Sequence, residues 1–178
     1  MTTTVEELAV MGRFAQAAAR QLARTSTLVK NQALLNIADA LELQQNKLLI
    51  ENEKDHKAAK TEGLDEAMLD RLQLTADRIT GMARDVRQVA ALADPVGETI
   101  EMATLPNGIL ASRRRVPLGV IGSIYESRPN VTVDIAMLSL KAGNACILRG
   151  GKESLHSNVA LSNLVRGAIS QAGIPADG

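Results

Sequence analysis

The stretch from Arg113 to Glu153 constrains the fold of this chain more than any other. It contains two apolar runs, Val116 to Ile124 and Ala145 to Leu148, with a helical pattern from about Val131 to Lys141 between them. Strand, helix, strand is the order of a parallel βαβ unit. A polar loop follows each run, YESRPN after the first and RGGKE after the second. Because ligands bind outside the carboxyl ends of the strands in open α/β sheets, we expect a cofactor site where these loops meet.

The composition excludes several classes of function. The 178 residues carry 20 basic and 20 acidic side chains, so no nucleic-acid-binding surface is indicated. No apolar run reaches the roughly 20 residues of a membrane helix, and the N-terminus does not resemble a signal peptide. A single cysteine, Cys146, is typical of a reducing compartment. The sequence predicts a soluble, cytoplasmic protein, and one cysteine with two scattered histidines, His56 and His156, predicts no metal site.

Residues 1–95 are expected to be mainly helical. A long second helix is predicted over residues 28–60, with a break near Ile50. The charged run EKDHKAAK within it is expected to be a solvated face. Side chains suited to capping helix N-termini stand at Thr4 (with Glu7 as a capping box), Asp65 and Thr75.

Residues 97–117 have the pattern of a β-hairpin that turns at Pro106-Asn107-Gly108. Residues 116–178 follow as strand, helix, strand and helix, with Ser154 as the expected cap of the last helix. The predicted fold class is α/β: a helical N-terminal layer on a partial, Rossmann-like parallel sheet, with a protruding antiparallel hairpin.

The turn after the second strand, RGGKES, allows two interpretations. It is not a P-loop, since Cys146 stands where that motif needs Gly and Glu153 where it needs Ser or Thr. Arg149 and Lys152 flank two glycines, whose backbone can approach a ligand closely, and the following helix start is expected to offer free N–H groups. Two cations there suit a phosphate monoester such as the 2′-phosphate of NADP. The alternative is an ordinary strand-to-helix turn with two surface cations.

The loop after the first strand, YESRPN, contains Glu126, Arg128 and Asn130. An arginine can hold a carboxylate or phosphate bidentately, and an asparagine amide can donate to an oxyanion. The alternative is a proline-containing loop with an incidental ion pair. Cys146 lies within an apolar strand and is expected to be structural, because a nucleophile needs an electropositive, partly exposed environment.

Three long segments carry a resemblance to a known family. RRRVPLGVIGSIYESRPNVTVD, LKAGNACILRGGKES and EAMLDRLQLTADRI resemble the gamma-glutamyl phosphate reductases, also called glutamate-5-semialdehyde dehydrogenases. More distantly, the chain is similar to the aldehyde dehydrogenase superfamily. The resemblance implies an NADP-dependent oxidoreductase of proline biosynthesis, which reduces L-glutamyl 5-phosphate with NADPH to glutamate 5-semialdehyde and phosphate. It also implies a cysteine thiolate as nucleophile.

The resemblance further implies roles for individual residues. Arg149 and Lys152 are expected to read the 2′-phosphate of NADP. Arg128 is expected to serve the carboxylate or phosphate of the substrate, and Asn130 to be the oxyanion donor. The full set of cofactor-binding residues expected is Ile124, Tyr125, Glu126, Arg149, Gly151 and Lys152.

The family's nucleophilic cysteine and catalytic domain have no counterpart in residues 1–178, which are therefore interpreted as the N-terminal part of the cofactor-binding domain. We expect this piece to be inactive alone. The hairpin resembles the arm by which these enzymes pair subunits, which implies a homo-oligomer acting on a small-molecule substrate. The alternative, from another class, is a non-catalytic oligomerisation or binding module.

Overall fold

The computed structural model describes residues 4–177, so the predicted domain ends at 1 and 178 lie outside the described residues. The described residues form seven α-helices, four β-strands and one 3-10 turn. In chain order these are α1 (Val5–Leu22), α2 (Thr27–Leu43), α3 (Gln45–Thr61), α4 (Glu66–Leu72), α5 (Ala76–Ala91), β1 (Thr99–Thr104), β2 (Leu110–Arg114), β3 (Val120–Ile124), α6 (Pro129–Lys141), β4 (Ala145–Arg149), the 3-10 turn (Lys152–Ser154) and α7 (Leu155–Gln171).

Side-chain caps fix where three of the N-terminal helices begin. Thr4 accepts a hydrogen bond from the Glu7 N–H at 3.2 Å, and the Glu7 carboxylate accepts from the Thr4 N–H at 2.8 Å, which completes the predicted capping box. Asp65 and Thr75 each accept from the N–H three residues ahead, at 2.8 and 3.1 Å. All three predicted caps are confirmed.

The predicted break in the second helix is wrong in position. It lies at Gln44, which ends α2 and precedes α3, whereas Ile50 lies inside α3. Neither glycine nor proline marks Gln44, and no side chain caps α3 there. Both helices contact α7, but α2 also packs mainly against α5 and α6, while α3 also packs mainly against α4 and the 3-10 turn.

The hydrophobic core is centred on α2. Several of its apolar side chains have no exposed surface, namely Ala33, Leu34, Ile37, Ala38 and Leu41, each at 0%. Because helices enclose α2 on more than one side, it is apolar around more of its circumference than a surface helix is. None of the helices between residues 4 and 177 is long and apolar enough to cross a membrane.

Each of the two sheets has two strands. β3 and β4 are parallel and are connected through α6, with Ile124 opposite Arg149 at their carboxyl ends. β1 and β2 form the predicted antiparallel hairpin, and every residue of both strands is exposed. α1 and α6 both contact β4. The predicted α/β class, with a helical layer, a parallel strand pair and a separate hairpin, is confirmed.

Candidate cofactor site

The two polar loops predicted to bind a ligand lie side by side. Because β3 and β4 are parallel and in register, Ile124 and Arg149 end neighbouring strands at the same edge of the sheet. The Tyr125 N–H continues this pairing by donating to the Arg149 carbonyl at 3.0 Å. α6 begins at Pro129, so the first loop is held between a strand and a helix.

The two glycines after β4 are required by close packing. A Cβ built at Gly150 would lie well within 3.0 Å of the Asn158 amide, and one at Gly151 would be equally close to the Ser127 hydroxyl. Neither glycine has a positive φ, so space, and not backbone conformation, demands glycine here. The turn after β4 is therefore pressed against both the loop after β3 and the start of α7.

A hydrogen bond joins the two loops across this contact. The Ser127 hydroxyl donates to the Glu153 carboxylate, and this bond is the main cause that lowers the pKa of Glu153. Ser127 precedes Arg128 and Glu153 follows Lys152. The bond consequently ties the predicted substrate residue to one of the predicted cofactor residues.

Arg149 and Lys152 present two cations at this turn. The Lys152 side chain is 75% exposed, and its Nζ lies 3.5 Å from the Glu62 carboxylate. Arg149 is also exposed, and its guanidinium donates to the Gly150 carbonyl. Because a long ion pair between exposed groups contributes little stability, the Lys152 side chain can turn towards an anion.

The start of α7 differs from the expectation of free N–H groups. Asp55 of α3 is only 3% exposed, although it belongs to the run predicted to be solvated. Its carboxylate accepts from the His156 and Ser157 N–H groups at 3.0 and 2.7 Å and from the Ser157 hydroxyl at 2.6 Å. Ser154 makes no side-chain cap bond to α7. Since the Asp55 carboxylate already accepts from these N–H groups, they are not free to bind a phosphate.

Ile124 and Tyr125 differ in exposure. Ile124 is apolar yet 87% exposed, so it offers apolar surface to a ligand at the sheet edge. Tyr125 is partly buried, with its hydroxyl 2.7 Å from Thr132 Oγ1. Burial raises the pKa of Tyr125, which keeps the hydroxyl protonated.

Glu126 and Arg128 form a partly exposed ion pair within the first loop. Arg128 Nε lies 2.6 Å from the Glu126 carboxylate, but it has no partner with hydrogen-bond geometry among the described residues. Arg71 of α4 lies 3.6 Å from the same carboxylate. Two arginines thus flank one carboxylate, and this excess of positive charge suits an anionic substrate.

Asn130 is directed along its own helix. It lies in the first turn of α6, and its Nδ2 donates to the Asp134 carboxylate at 3.1 Å. Burial raises the pKa of Asp134, although the hydrogen bond from Asn130 opposes the rise. The amide would have to leave Asp134 to reach an oxyanion, so the predicted role of Asn130 stays a prediction.

Cys146 is placed unfavourably for nucleophilic chemistry. Burial raises the pKa of its thiol, and the opposing effect of a hydrogen bond with Ser139 is smaller, so the thiolate is disfavoured. The residue lines an apolar cavity of about 230 Å³ between α1, α6, β4 and α7. Within residues 4–177 no three His, Cys, Asp or Glu side chains are grouped so that they could hold a metal ion.

Sequence reasoning missed a chain of hydrogen bonds that ends at the turn after β4, residues 149–152, which is called the glycine turn below. Thr132, whose hydroxyl meets that of Tyr125, donates to Asn158 Oδ1 at 3.0 Å. Asn158 Nδ2 donates to Ser154 Oγ at 2.9 Å, and Ser154 Oγ lies 3.2 Å from the Gly151 carbonyl. The four-residue spacing of Ser154 and Asn158 was the one available signal. Ser127, Glu153 and Arg71 were missed as well, since their partners are distant in sequence.

Curated proteins similar to this chain are gamma-glutamyl phosphate reductases. The reductase of Tolumonas auensis is 53% identical over 169 residues, which cover 95% of this chain and 40% of that protein. The reductase of Dehalococcoides mccartyi is 52% identical over 175 residues, covering 98% and 41%. The chain therefore spans about two-fifths of the length of these relatives. No family model matches the chain.

Solved structures agree with this result. The crystal structure of gamma-glutamyl phosphate reductase from Thermotoga maritima superposes with a TM-score of 0.93 at 39% identity, covering 96% of this chain and 41% of that one. The enzyme from Saccharomyces cerevisiae gives 0.90 at 31% identity, covering 99% and 45%. A probable aldehyde dehydrogenase from Listeria monocytogenes gives 0.69 at 18% identity, covering 96% and 35%, which shows the fold alone. The resemblance inferred from the sequence is confirmed.

Proposed function

We propose that this chain, which corresponds in sequence and fold to the amino-terminal part of gamma-glutamyl phosphate reductases, supplies the portion of an NADP site that binds the 2′-phosphate. The proposed reaction of the whole protein is reduction of L-glutamyl 5-phosphate by NADPH to glutamate 5-semialdehyde and phosphate, in proline biosynthesis. The observation that carries the proposal is the meeting of the two loops at one sheet edge, with Arg149 and Lys152 exposed beside the glycine turn.

The residues present fit a phosphorylated dinucleotide better than an unphosphorylated one. In many NAD sites an acidic side chain accepts hydrogen bonds from the ribose hydroxyls. Here the turn presents Arg149 and Lys152, and the acidic group nearest in the turn, Glu153, is already bonded to Ser127. Two cations match a phosphate dianion in charge, and an arginine also matches it in geometry.

In the proposed mechanism the chain binds and orients, while NADPH supplies the hydride. Ile124 and Tyr125 lie along the cofactor. Arg128 pairs with a carboxylate or phosphate of the substrate, and Asn130 donates to the developing oxyanion after leaving Asp134. We expect residues 1–178 alone to have no reductase activity, because the single cysteine, Cys146, has a raised thiol pKa. Cytoplasmic location stays a prediction.

The proposal is tested by measuring how much each cofactor raises the melting temperature of the 178-residue chain. A bound ligand raises stability by RT ln(1 + [L]/Kd), so NADPH should raise the melting temperature more than NADH at equal concentration. Arg149→Ala combined with Lys152→Ala should weaken NADPH binding by at least about tenfold, because charge-assisted hydrogen bonds to the phosphate are lost. NADH binding should change little.

Lys57→Ala is the matched control, since it removes a cation of α3 whose side chain is 74% exposed. It should leave the difference between NADPH and NADH intact. Equal protection by the two cofactors, or an undiminished difference in the double variant, would contradict the proposal.

The hairpin favours a second role, in self-association. Its apolar side chains are 43–61% exposed, and they are Ile100, Met102, Leu105, Ile109 and Leu110. A two-stranded hairpin by itself is marginal in water, so apolar cover from another chain would stabilise it. This supports the expected homo-oligomer, and it is also the feature that favours the alternative of a non-catalytic oligomerisation module.

A further inference from the structure

The Asn158 side chain packs against Gly150 in the turn that follows β4. The turn carries Arg149 and Lys152, which are proposed to bind the 2′-phosphate. The position of its backbone therefore determines where these two side chains can place their charges. Asn158 lies in the first turn of α7, and its amide occupies the space into which a Cβ at Gly150 would project. No other side chain lies as close to that position.

The hydrogen bonds around Asn158 have a defined direction. Thr132 donates its one hydroxyl proton to Asn158 Oδ1 at 3.0 Å, so the Tyr125 hydroxyl must be the donor in its 2.7 Å contact with Thr132. Asn158 Nδ2 donates to Ser154 Oγ at 2.9 Å, which leaves the Ser154 proton for the Gly151 carbonyl at 3.2 Å. The Thr132 and Ser154 hydroxyls each donate once and accept once, and the Tyr125 hydroxyl starts the chain as a donor.

An amide suits the central place in this chain. It accepts at its oxygen from the side of β3 and α6, and it donates at its nitrogen towards the turn after β4. Aspartate has the same shape but cannot donate, and a leucine can do neither. Burial also raises the pKa of Tyr125, so the first donor of the chain keeps its proton.

We propose that Asn158 is a positioning residue that sets the NADPH preference of this site by fixing the turn from Arg149 to Lys152. This inference rests on the proposed function, since it assigns how the 2′-phosphate-binding cations are held. Asn158 contacts the turn by packing its amide against Gly150 and by donating a hydrogen bond to Ser154, which in turn bonds to the Gly151 carbonyl. It is therefore separate from the residues expected to contact the cofactor.

Cofactor affinities of Asn158→Ala and Asn158→Asp provide the first measurement. Both variants should weaken NADPH binding by about tenfold or more, with NADH changed less than about threefold, so the ratio of the two affinities falls. Asn163→Ala is the matched control, because Asn163 is an exposed asparagine on the same helix, and it should leave the ratio unchanged. A variant that loses thermal stability but keeps the wild-type ratio would overturn the positioning role.

A double-variant cycle gives a second measurement. Gly150→Ala should lower the NADPH:NADH ratio strongly in the wild type, because the new Cβ collides with the Asn158 amide. In the Asn158→Ala background the same change should cost much less, since the amide is gone. Additive effects of the two substitutions would contradict the proposed contact.

Amide NMR spectra of the ligand-free chain separate this inference from the proposed function. Asn158→Asp should shift and broaden the amide signals of residues 150–152, whereas Asn163→Ala should leave them in place. If wild-type protein shows no NADPH preference, the proposed function fails. If the turn signals do not respond to Asn158→Asp, the positioning inference fails whatever the cofactor result.

Discussion

At the scale of single residues, one buried ion pair connects distant parts of the helical layer. Lys30 is 1% exposed, and its Nζ lies 2.6 Å from the Asp94 carboxylate and 3.2 Å from the Lys141 carbonyl. Asp94 also accepts from the Thr27 hydroxyl at 2.6 Å and the Val96 N–H at 3.0 Å. Burial opposes ionisation of Asp94, but these hydrogen bonds outweigh it and hold the pKa of Asp94 below its ordinary value. The pair thus fixes the end of α5 against α2 and α6.

Asp94→Asn should lower the free energy of unfolding by about 3 kcal/mol, because it leaves the Lys30 ammonium buried without a counter-charge. Urea denaturation at pH 7 measures the change. Glu53→Gln is the control, since it removes the partner of Lys57 from an exposed ion pair of α3, and it should change stability by less than about 0.5 kcal/mol. Equal effects of the two substitutions would argue against a structural ion pair.

The same variant predicts a pH dependence. The pKa of Asp94 is lower in the folded than in the unfolded chain, so its contribution is fully present above the unfolded value of about 3.8 and is lost as the pH falls through the folded value. The wild type should therefore lose stability more steeply than Asp94→Asn below about pH 5. If the free energy of unfolding falls equally steeply with pH in the two proteins, Asp94 is not the group that causes the loss of stability in acid.

At the scale of elements, α7 is held in place by α3. Asn52 and Asp55 lie on the buried side of α3, each 3% exposed. Asp55 binds the first turn of α7 as described above, and Asn52 donates to Ser157 Oγ at 3.0 Å and to the Leu72 carbonyl at 2.9 Å. The Asn52 side-chain oxygen accepts from the Leu74 N–H at 2.7 Å. These two side chains therefore fix both α7 and the connection after α4.

Asp55→Ala should cost about 2–3 kcal/mol of stability, because two helix N–H groups and a buried hydroxyl lose a charged acceptor. Ser157→Ala should cost less, about 1 kcal/mol, since only the hydroxyl bonds disappear. Chemical denaturation measures both, and Glu53→Ala on the exposed side of α3 is the control. A loss for Asp55→Ala no larger than that of the control would show that α7 is capped in another way.

At the scale of the whole molecule, the hairpin is separate from the core. All residues of β1 and β2 are exposed. Met102 and Thr104 are two residues apart on β1 and so lie on the same face, and Leu110 lies on that face too because it pairs with Thr104. An exposed apolar face on a β-ribbon is typical of a contact with another chain. Folding of the helical layer and self-association should therefore be separable.

Met102→Glu combined with Leu110→Glu should leave the free energy of unfolding of the monomer within about 0.5 kcal/mol of wild type, because neither side chain is buried. The same variant should prevent self-association, which sedimentation velocity over a range of concentrations measures. Ala111→Glu, on the opposite face of the hairpin, should retain the wild-type mass. A wild type that remains monomeric throughout would contradict the proposed homo-oligomer.

The sequence by itself determined the features whose causes are local. Thr4, Asp65 and Thr75 cap helices because each bonds a backbone group three residues away, and such bonds are visible as short spacings. The βαβ order and the hairpin were also predictable, since apolar runs, a helical period and a Pro-Asn-Gly turn define them. The family resemblance depended on long contiguous segments.

The tertiary structure alone decided the features that depend on distant partners. Gln44 ends α2 without any breaking residue, and α2 packs against α6, whereas α3 packs against α4 and the 3-10 turn. Asp55 binds a helix start that is 101 residues away in the chain, and Asn158 accepts a hydrogen bond from Thr132 of α6, 26 residues earlier. The energy of such contacts comes from burial and hydrogen bonding between separate segments, and no local spacing in the sequence records which segments will meet.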